Sequence, residues 1–274
     1  MNFGMEAFNA IARAAAIASP ELPGDYRGED GLLYCGECHT PKQCRVTLMG
    51  QEDIVSCQCK CAVEKYEAEQ RRLKKQEEIG RISTLRVQGI QDKAVREYTF
   101  AKAEQTTEIV RCQKYVEHWP EVLENNSGLL FWGGVGNGKT FAAACIANAL
   151  IDRGVPALVT SFPRILNGGW DKSEIISQMK RFPLMVIDDL GAERQSEYAQ
   201  EIVYAVVDER YKTRKPLIVT TNLTLDEMND PKSMDYKRIY SRIQEMCVPV
   251  YFKGGSRRVK IAEGKKDVVR EIFG

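Results

Sequence analysis

The sequence predicts an α/β fold of three layers, with helices on both faces of a parallel sheet, preceded by a small cysteine-rich unit and a charged connector helix. Three observations lead there. Apolar runs at 129–132, 182–187 and 216–221 each read as a buried strand that stops at polar residues. The segment 140–150 follows the first of them with helical periodicity. Six of the nine cysteines fall between Cys35 and Cys61, far from those runs.

The first run opens into Gly133-Gly134-Val135-Gly136-Asn137-Gly138-Lys139-Thr140, a glycine turn between a strand and a helix. Glycines let successive backbone N–H groups wrap a β-phosphate without a Cβ in the way, and the helix adds the positive end of its dipole. Lys139 supplies a cation for the β- and γ-phosphates of ATP. The Thr140 hydroxyl is placed to hold Mg2+. This is the spacing of a P-loop NTPase.

The second run ends in two adjacent carboxylates, Asp188 and Asp189. Neighbours at a strand end point in different directions, so they can share one site and do different work. Asp188 is expected over the magnesium, and Asp189 is expected to orient or deprotonate the attacking water. The third run ends at Asn222, whose neutral amide can hydrogen-bond both a γ-phosphate and a water.

With 274 residues the chain can bury one good core and carry a smaller unit as well. Its formal net charge of +1 excludes a wholesale polyanion coat and leaves room only for local basic patches. No apolar run is long enough to span a membrane. The Ala-rich start has no basic leading region and carries Arg13 inside its apolar stretch, which fits a signal peptide poorly. A cytoplasmic protein is therefore expected.

In a reducing compartment the cysteine crowding points to metal rather than disulfides. Cys35 and Cys38 form a C-x2-C knuckle. A β-rich stretch separates them from Cys57, Cys59 and Cys61, which offer three thiolates for two places, with His39 a further candidate and Cys44 in between. Two such knuckles can close a tetrahedral Zn2+ site. Cys35, Cys38, Cys59 and Cys61 are the expected ligands, because the last two stand immediately before the charged helix, where the chain must be pinned. Cys57 is the reserve. So short a unit could hardly fold on apolar burial alone, so the metal would supply much of its stability.

The chain thus divides into an N-terminal helical segment (1–30), a zinc unit (31–62), a charged helical connector (63–97) and an ATPase domain (98–274). Within the last, 235–247 reads as a helix with Arg238 and Arg242 on one face. A guanidinium presented to a γ-phosphate stabilises the charge of phosphoryl transfer, whereas a salt-bridged surface pair would not act in chemistry at all.

The ordered set GGVGNGKT, VIDDLGAER, IVTTNL, RIYSRIQEMC and GGSRR resembles the DnaC/IstB-type branch of the AAA+ ATPases, and the cysteine-rich front half resembles DnaC-like helicase loaders. The resemblance covers roughly 34–258. It implies that Asn222 is the first sensor, that Arg242 is a finger reaching a neighbouring subunit's nucleotide, and that Arg258 is the second sensor, with Arg257 beside it as a rival. It implies ATP, Mg2+ and Zn2+ as cofactors, and slow turnover from the Asp-Asp pair. It further implies a replicative DNA helicase and single-stranded DNA as partners, and a homo-oligomer in the ATP-bound state. The same motifs leave two other expectations open: an IstB-like transposition helper ATPase, and a nucleotide-sensing zinc adaptor with little hydrolysis.

Overall fold

The computed structural model describes residues 21–48, 50–168, 172–192, 196–231 and 233–273. The predicted N-terminal helix lies largely outside them. Contacts divide the chain into two units, Met1–Ile79 and Gly80–Gly274.

The first unit is built from four short strands. β1 (Tyr26–Arg27) pairs antiparallel with β2 (Leu33–Tyr34), and β3 (Gln43–Leu48) pairs with β4 (Gln51–Ser56) as a hairpin. Helix α1 (Lys60–Gly89) starts here, and its charged surface carries short-range ion pairs such as Arg72–Glu69 at 2.7 Å. Among the unit's described residues only Leu32, Leu33, Cys35 and Cys59 are buried apolar side chains. That is too little apolar surface to hold a fold together.

The second unit contains α2 (Lys93–Arg96), α3 (Thr107–Glu117) and α4 (Trp119–Glu124) ahead of the first sheet strand, β5 (Gly128–Trp132). Then follow α5 (Lys139–Asp152), β6 (Ala157–Ser161), α6 (Phe162–Asn167), α7 (Lys172–Arg181) and β7 (Leu184–Leu190). The chain continues through α8 (Glu197–Thr213), β8 (Leu217–Thr221), α9 (Leu225–Asn229), α10 (Met234–Met246), β9 (Cys247–Tyr251) and α11 (Arg257–Phe273). The five strands form one parallel sheet in the order β6-β7-β8-β5-β9.

Both faces of that sheet are covered, which is why its strands read as unbroken apolar runs. Alternate residues feed opposite layers: Leu130, Met185, Ile187, Leu217 and Val219 pack with α8 and α10, while Phe131, Leu184, Val186 and Ile218 pack with α3 and α5. Ala142, Ala143 and Ala147 on α5 are fully buried, and their small side chains let this helix lie close on the sheet. The expected three-layer α/β/α P-loop fold with a parallel sheet is what the chain adopts. No described helix is long and apolar enough to cross a membrane.

The two edges are closed differently. On β9 the edge carries Pro249, which lacks a donor N–H and so discourages further pairing. At the β6 edge, Ile90 just beyond α1 forms an isolated parallel bridge with Val159 and is 1 % exposed. Ile82, Leu85 and Val95, all upstream of Tyr98, pack against the same core layer.

Two glycines of α1 therefore carry opposite predictions. A Cβ at Gly89 would lie 1.9 Å from the Ala157 carbonyl oxygen, whereas at Gly80 it would meet nothing within 4 Å. In urea denaturation Gly89→Ala is expected to cost about 1–3 kcal/mol through overpacking. Gly80→Ala is expected to stabilise by up to about 1 kcal/mol through helix propensity. A stable Gly89→Ala chain would mean that the helix end is not packed on β6.

Candidate functional site

Three strand ends converge at the carboxyl edge of the sheet, the place where open parallel sheets bind ligands. The turn after β5 needs glycine for space as well as for backbone angle. Gly136 has φ +83°, and a Cβ there would sit 2.2 Å from Ser256 Oγ. Gly138 caps α5, so the helix's first N–H groups and the positive end of its dipole open onto this turn.

Lys139 folds back beneath the turn and is 5 % exposed. Its Nζ donates to Gly133 O at 2.8 Å, Gly134 O at 2.7 Å and Asn222 Oδ1 at 2.9 Å. The last bond ties the end of β8 to the loop after β5. It also orients the Asn222 amide, leaving Nδ2 as the donor for a further partner.

On the other side, Thr140 Oγ1 donates to Asp188 Oδ1 at 2.7 Å, and Thr220 Oγ1 donates to the same oxygen at 2.6 Å. The Asp189 N–H donates to Thr220 Oγ1 at 3.0 Å. Asp189 itself has φ +53°, a left-handed conformation that aspartate tolerates better than most residues. The β7–β8 pairing loses register between Ile187 and Leu190, so the two carboxylates straddle a bulge.

These groups open onto a cavity of about 460 Å³ walled by the phosphate loop, Asp189 and Asn222. That volume falls within the roughly 300–1,000 Å³ of small-molecule sites. Tyr98, Lys102, Phe141 and Arg257 complete its walls, with the Tyr98 and Phe141 rings 5.0 Å apart. Arg257 donates its backbone N–H to Gly136 O at 3.0 Å, and its guanidinium lies 3.6 Å from Glu104 Oε2. The Arg258 side chain lies outside the described residues.

Arg242 is not a wall of this cavity. It lies 2.6 Å from Asp208 Oδ1, with the Tyr204 and Tyr211 rings 4.9 and 5.5 Å from its guanidinium carbon. With Lys237 and Arg238 it lines an open groove of about 550 Å³ that shares no residue with the phosphate-loop cavity. Sequence reasoning passed over Thr220, Lys102 and the cavity role of Tyr98. Thr220 could have been found from its place near the end of β8, two residues before Asn222.

These observations describe a phosphate loop, a hydroxyl–carboxylate pair suited to a divalent cation, and a polar strand end that reaches the loop lysine. The family described as IstB-like ATP binding protein matches residues 46–263. The chain belongs to that family. Among relatives of the IstB-like chain, the replicative helicase loader DnaC of Escherichia coli (strain K12) is 29% identical over 132 residues, 45% of this chain and 53% of DnaC. The replicative helicase loader DnaI of Bacillus subtilis (strain 168) is 26% identical over 147 residues, 48% of this chain and 47% of DnaI. The chain spans about half the length of these curated relatives.

A crystal structure of DnaI aligns at TM-score 0.51 and 21% identity, covering 60% of this chain and 96% of that one. A crystal structure of the DnaC helicase loader aligns at TM-score 0.51 and 22% identity, covering 59% and 100%. At these identities the likeness is one of fold. ATP and Mg2+ are the ligands expected of the family, and the residues present suit them: glycine N–H groups and Lys139 for phosphates, Thr140 and Asp188 for the cation.

The first unit holds a second polar centre. The sulfurs of Cys35, Cys38, Cys59 and Cys61 all lie within 4.8 Å of one another, with Cys61 at 3.5 Å from Cys35 and 3.4 Å from Cys59. Tetrahedral zinc with bonds of about 2.3 Å needs sulfurs about 3.8 Å apart, so the four fit such an ion. Backbone N–H groups of Cys38 and Glu37 push the Cys35 thiol down, and the Thr40 hydroxyl, first among several donors, does the same for Cys38. The neighbouring thiols of Cys59, Cys35 and Cys38 push Cys61 up, as expected where four acidic groups crowd together. Cys57 sits apart, its sulfur 3.5 Å from Pro41 O, and the His39 ring packs 5.8 Å from that of Tyr26.

Beneath the first knuckle Lys42 meets Asp25 at 2.5 Å, and Asp25 also accepts the N–H groups of Leu22 and Gly36. The Lys42 ammonium, followed by the Leu22 N–H, holds the Asp25 carboxyl down to about 2 from 3.8. A lowered folded value means that the unfolded chain binds more protons between those two values. The contribution is therefore complete above pH 3.8 and lost as pH falls toward 2. In thermal unfolding of the full chain, Asp25→Asn is expected to be less stable than the parent above pH 3.8, with the gap closing as pH falls toward 2. A gap that does not change across that window would contradict the ion pair.

Proposed function

We propose that this chain is an ATP-hydrolysing loader of a replicative DNA helicase onto single-stranded DNA, with ATP binding and hydrolysis as its assembly and release switch. The observation that carries the reading is the joined pair of contacts at one cavity, Thr140 to Asp188 at 2.7 Å and Lys139 to Asn222 at 2.9 Å. Together they join the ends of three strands at one cavity, which supports a phosphoryl-transfer reading. The loader relatives and the cysteine centre support the finer assignment.

Lys139 and the loop N–H groups bind the β- and γ-phosphates. Thr140 and Asp188 hold Mg2+, which when bound neutralises charge on the phosphate oxygens. Asp189 orients the attacking water and takes its proton, and the Asn222 Nδ2 group donates to the γ-phosphate or to that water. Arg257, at the cavity wall, and Arg258 beside it in sequence are the candidates for sensing bound nucleotide. Arg242 acts as a finger on the nucleotide of a neighbouring copy, presented by Asp208, Tyr204 and Tyr211. The zinc unit is the helicase-contacting part, and the ATPase part takes in residues upstream of 98, since Ile82, Leu85 and Val95 pack on its core. A net charge of +1 confines any single-strand site to a local patch that oligomer assembly lines up.

The family's IstB description favours a second reading, a helper ATPase of a transposase. The cysteine centre argues for the loader. Co-purification with a replicative helicase, with and without ATP, separates them: ATP-dependent capture is expected, and capture of a transposase instead would replace the reading.

Two outcomes test the chemistry. Lys139→Ala is expected to lose ATP binding, while Asp189→Asn keeps it and loses turnover by roughly 10²–10⁴-fold, the size of a general-base contribution. Normal hydrolysis by either variant would remove these roles. Elemental analysis of the purified chain is expected to find about one zinc per chain, since four thiolates complete one tetrahedral site. Cys59→Ser should lose it and Cys57→Ser should keep it. A folded parent without metal would rule the zinc out.

A further inference from the structure

Thr220 is fully buried in the middle of the sheet, so it cannot touch a nucleotide. Yet its hydroxyl touches both carboxylate residues of β7. We propose that Thr220 is a positioning residue that sets Asp188 and Asp189 in their separate roles by a one-way hydrogen-bond relay. The inference rests on the phosphoryl-transfer reading above, and it concerns a residue which that reading does not use.

The direction of the relay is forced by chemistry. An ionised carboxylate only accepts, so the single Thr220 proton goes to Asp188 Oδ1 at 2.6 Å. A lone pair of Thr220 Oγ1 itself is then free for the Asp189 N–H at 3.0 Å. The Thr140 proton is likewise committed to Asp188 Oδ1, at 2.7 Å. Both hydroxyls thus occupy one oxygen of Asp188, and Oδ2 has no hydrogen-bond partner within the described residues, which leaves it available to a hydrated cation.

The second half of the relay concerns backbone angle. Asp189 has φ +53°, and the strand pairing shifts between Ile187 and Leu190. A non-glycine residue stays in the left-handed region only when its surroundings hold it there. The bond from its N–H to Thr220 is such a restraint. It turns Asp189 out of the strand's alternation, so that this carboxylate lines the cavity while Asp188 stays under the Thr140 hydroxyl. Without the hydroxyl, Asp189 would relax toward extended backbone and swing away. Thr220 therefore couples the cation-side acid to the water-side acid.

The test compares Thr220→Val, which replaces the hydroxyl with a methyl, with Thr220→Ser, which keeps the hydroxyl. For Thr220→Val the expected result is unchanged ATP binding without Mg2+, a higher half-saturating Mg2+ concentration, and kcat down about 10- to 100-fold with little change in KM, as for other outer-shell partners. Hydrogen exchange should show the Asp189 amide losing protection. Thr220→Ser should restore the Mg2+ dependence, the kcat and the Asp189 amide protection. If the valine chain fails to fold, Thr220→Ala removes the hydroxyl without adding a methyl against Asp188 and carries the same readouts. Parent-like kcat and Mg2+ dependence in the hydroxyl-free variants would overturn the proposal. So would a loss of turnover that only follows a loss of nucleotide binding and stability and that serine does not rescue. Should the parent bind ATP but not hydrolyse it, the hydrolytic reading fails, while the Mg2+ and amide-exchange arms still decide the relay.

Discussion

The arrangement of the candidate site hangs on one break in register. β7 and β8 pair regularly from Met185 against Leu217 to Ile187 against Val219, then resume at Leu190 against Thr221 with a shift. A regular strand would send Asp188 and Asp189 to opposite faces of the sheet, both of which are packed with apolar side chains. The bulge instead keeps both acids at the carboxyl edge, and the left-handed backbone of Asp189 is how the extra length is taken up.

A shift at one end of a strand pair is useful only if the other end is held. Arg210 does this from α8. Its guanidinium is fully buried and donates to Phe182 O at 2.8 Å and to Pro183 O and Pro216 O at 2.6 Å. These carbonyls precede β7 and β8, so one side chain fastens the entrances of both strands. Burial pulls the Arg210 pKa down to about 9, which still leaves the group charged near neutrality. Three carbonyls at hydrogen-bond distance offset the desolvation of this buried charge. The sheet is pinned at its entrance and allowed to slip where the acids lie.

The sequence was most legible where one requirement acted on adjacent residues. The phosphate loop from Gly133 to Thr140 and the pair Asp188–Asp189 are local patterns, and the three runs that carry them are apolar because both sheet faces are covered. The cysteines were legible for a related reason: the knuckle at Cys35 and Cys38 and the close pair Cys59 and Cys61 leave few ways to gather four sulfurs. What escaped was non-local. The short run Ala157–Ser161 was not read as a strand, and neither was Cys247–Tyr251, which Pro249 interrupts; both are edge strands. Helix α1 reads as a charged spacer throughout, and nothing local shows that Gly89 must be a glycine because Ala157 approaches it. Arg257 reaches the cavity through a turn that brings its N–H to Gly136, far back in the sequence.

The two polar centres, though built in different units, use the same small device. In the phosphate site the Thr220 oxygen takes the Asp189 N–H and gives its proton to an acid. In the cysteine centre the Thr40 oxygen takes the Lys60 N–H at 2.9 Å and lies 3.1 Å from Cys38 Sγ, whose thiolate it favours. A hydroxyl has one proton and spare lone pairs, so once a backbone N–H is docked on it the proton can be aimed at the anion beside it. Serine or threonine can do this, whereas an amide or a carboxylate in the same space would bring extra donors or a competing charge. In both places the backbone group so tied belongs to the segment that carries a second ligand: Asp189 beside the cavity, and Lys60 between Cys59 and Cys61. Thr40 thereby joins two halves of the cysteine centre that are distant in sequence, and Thr220 ties two adjacent acids of β7 to β8. That is why each threonine sits behind the acidic groups that would meet the ligand rather than among them.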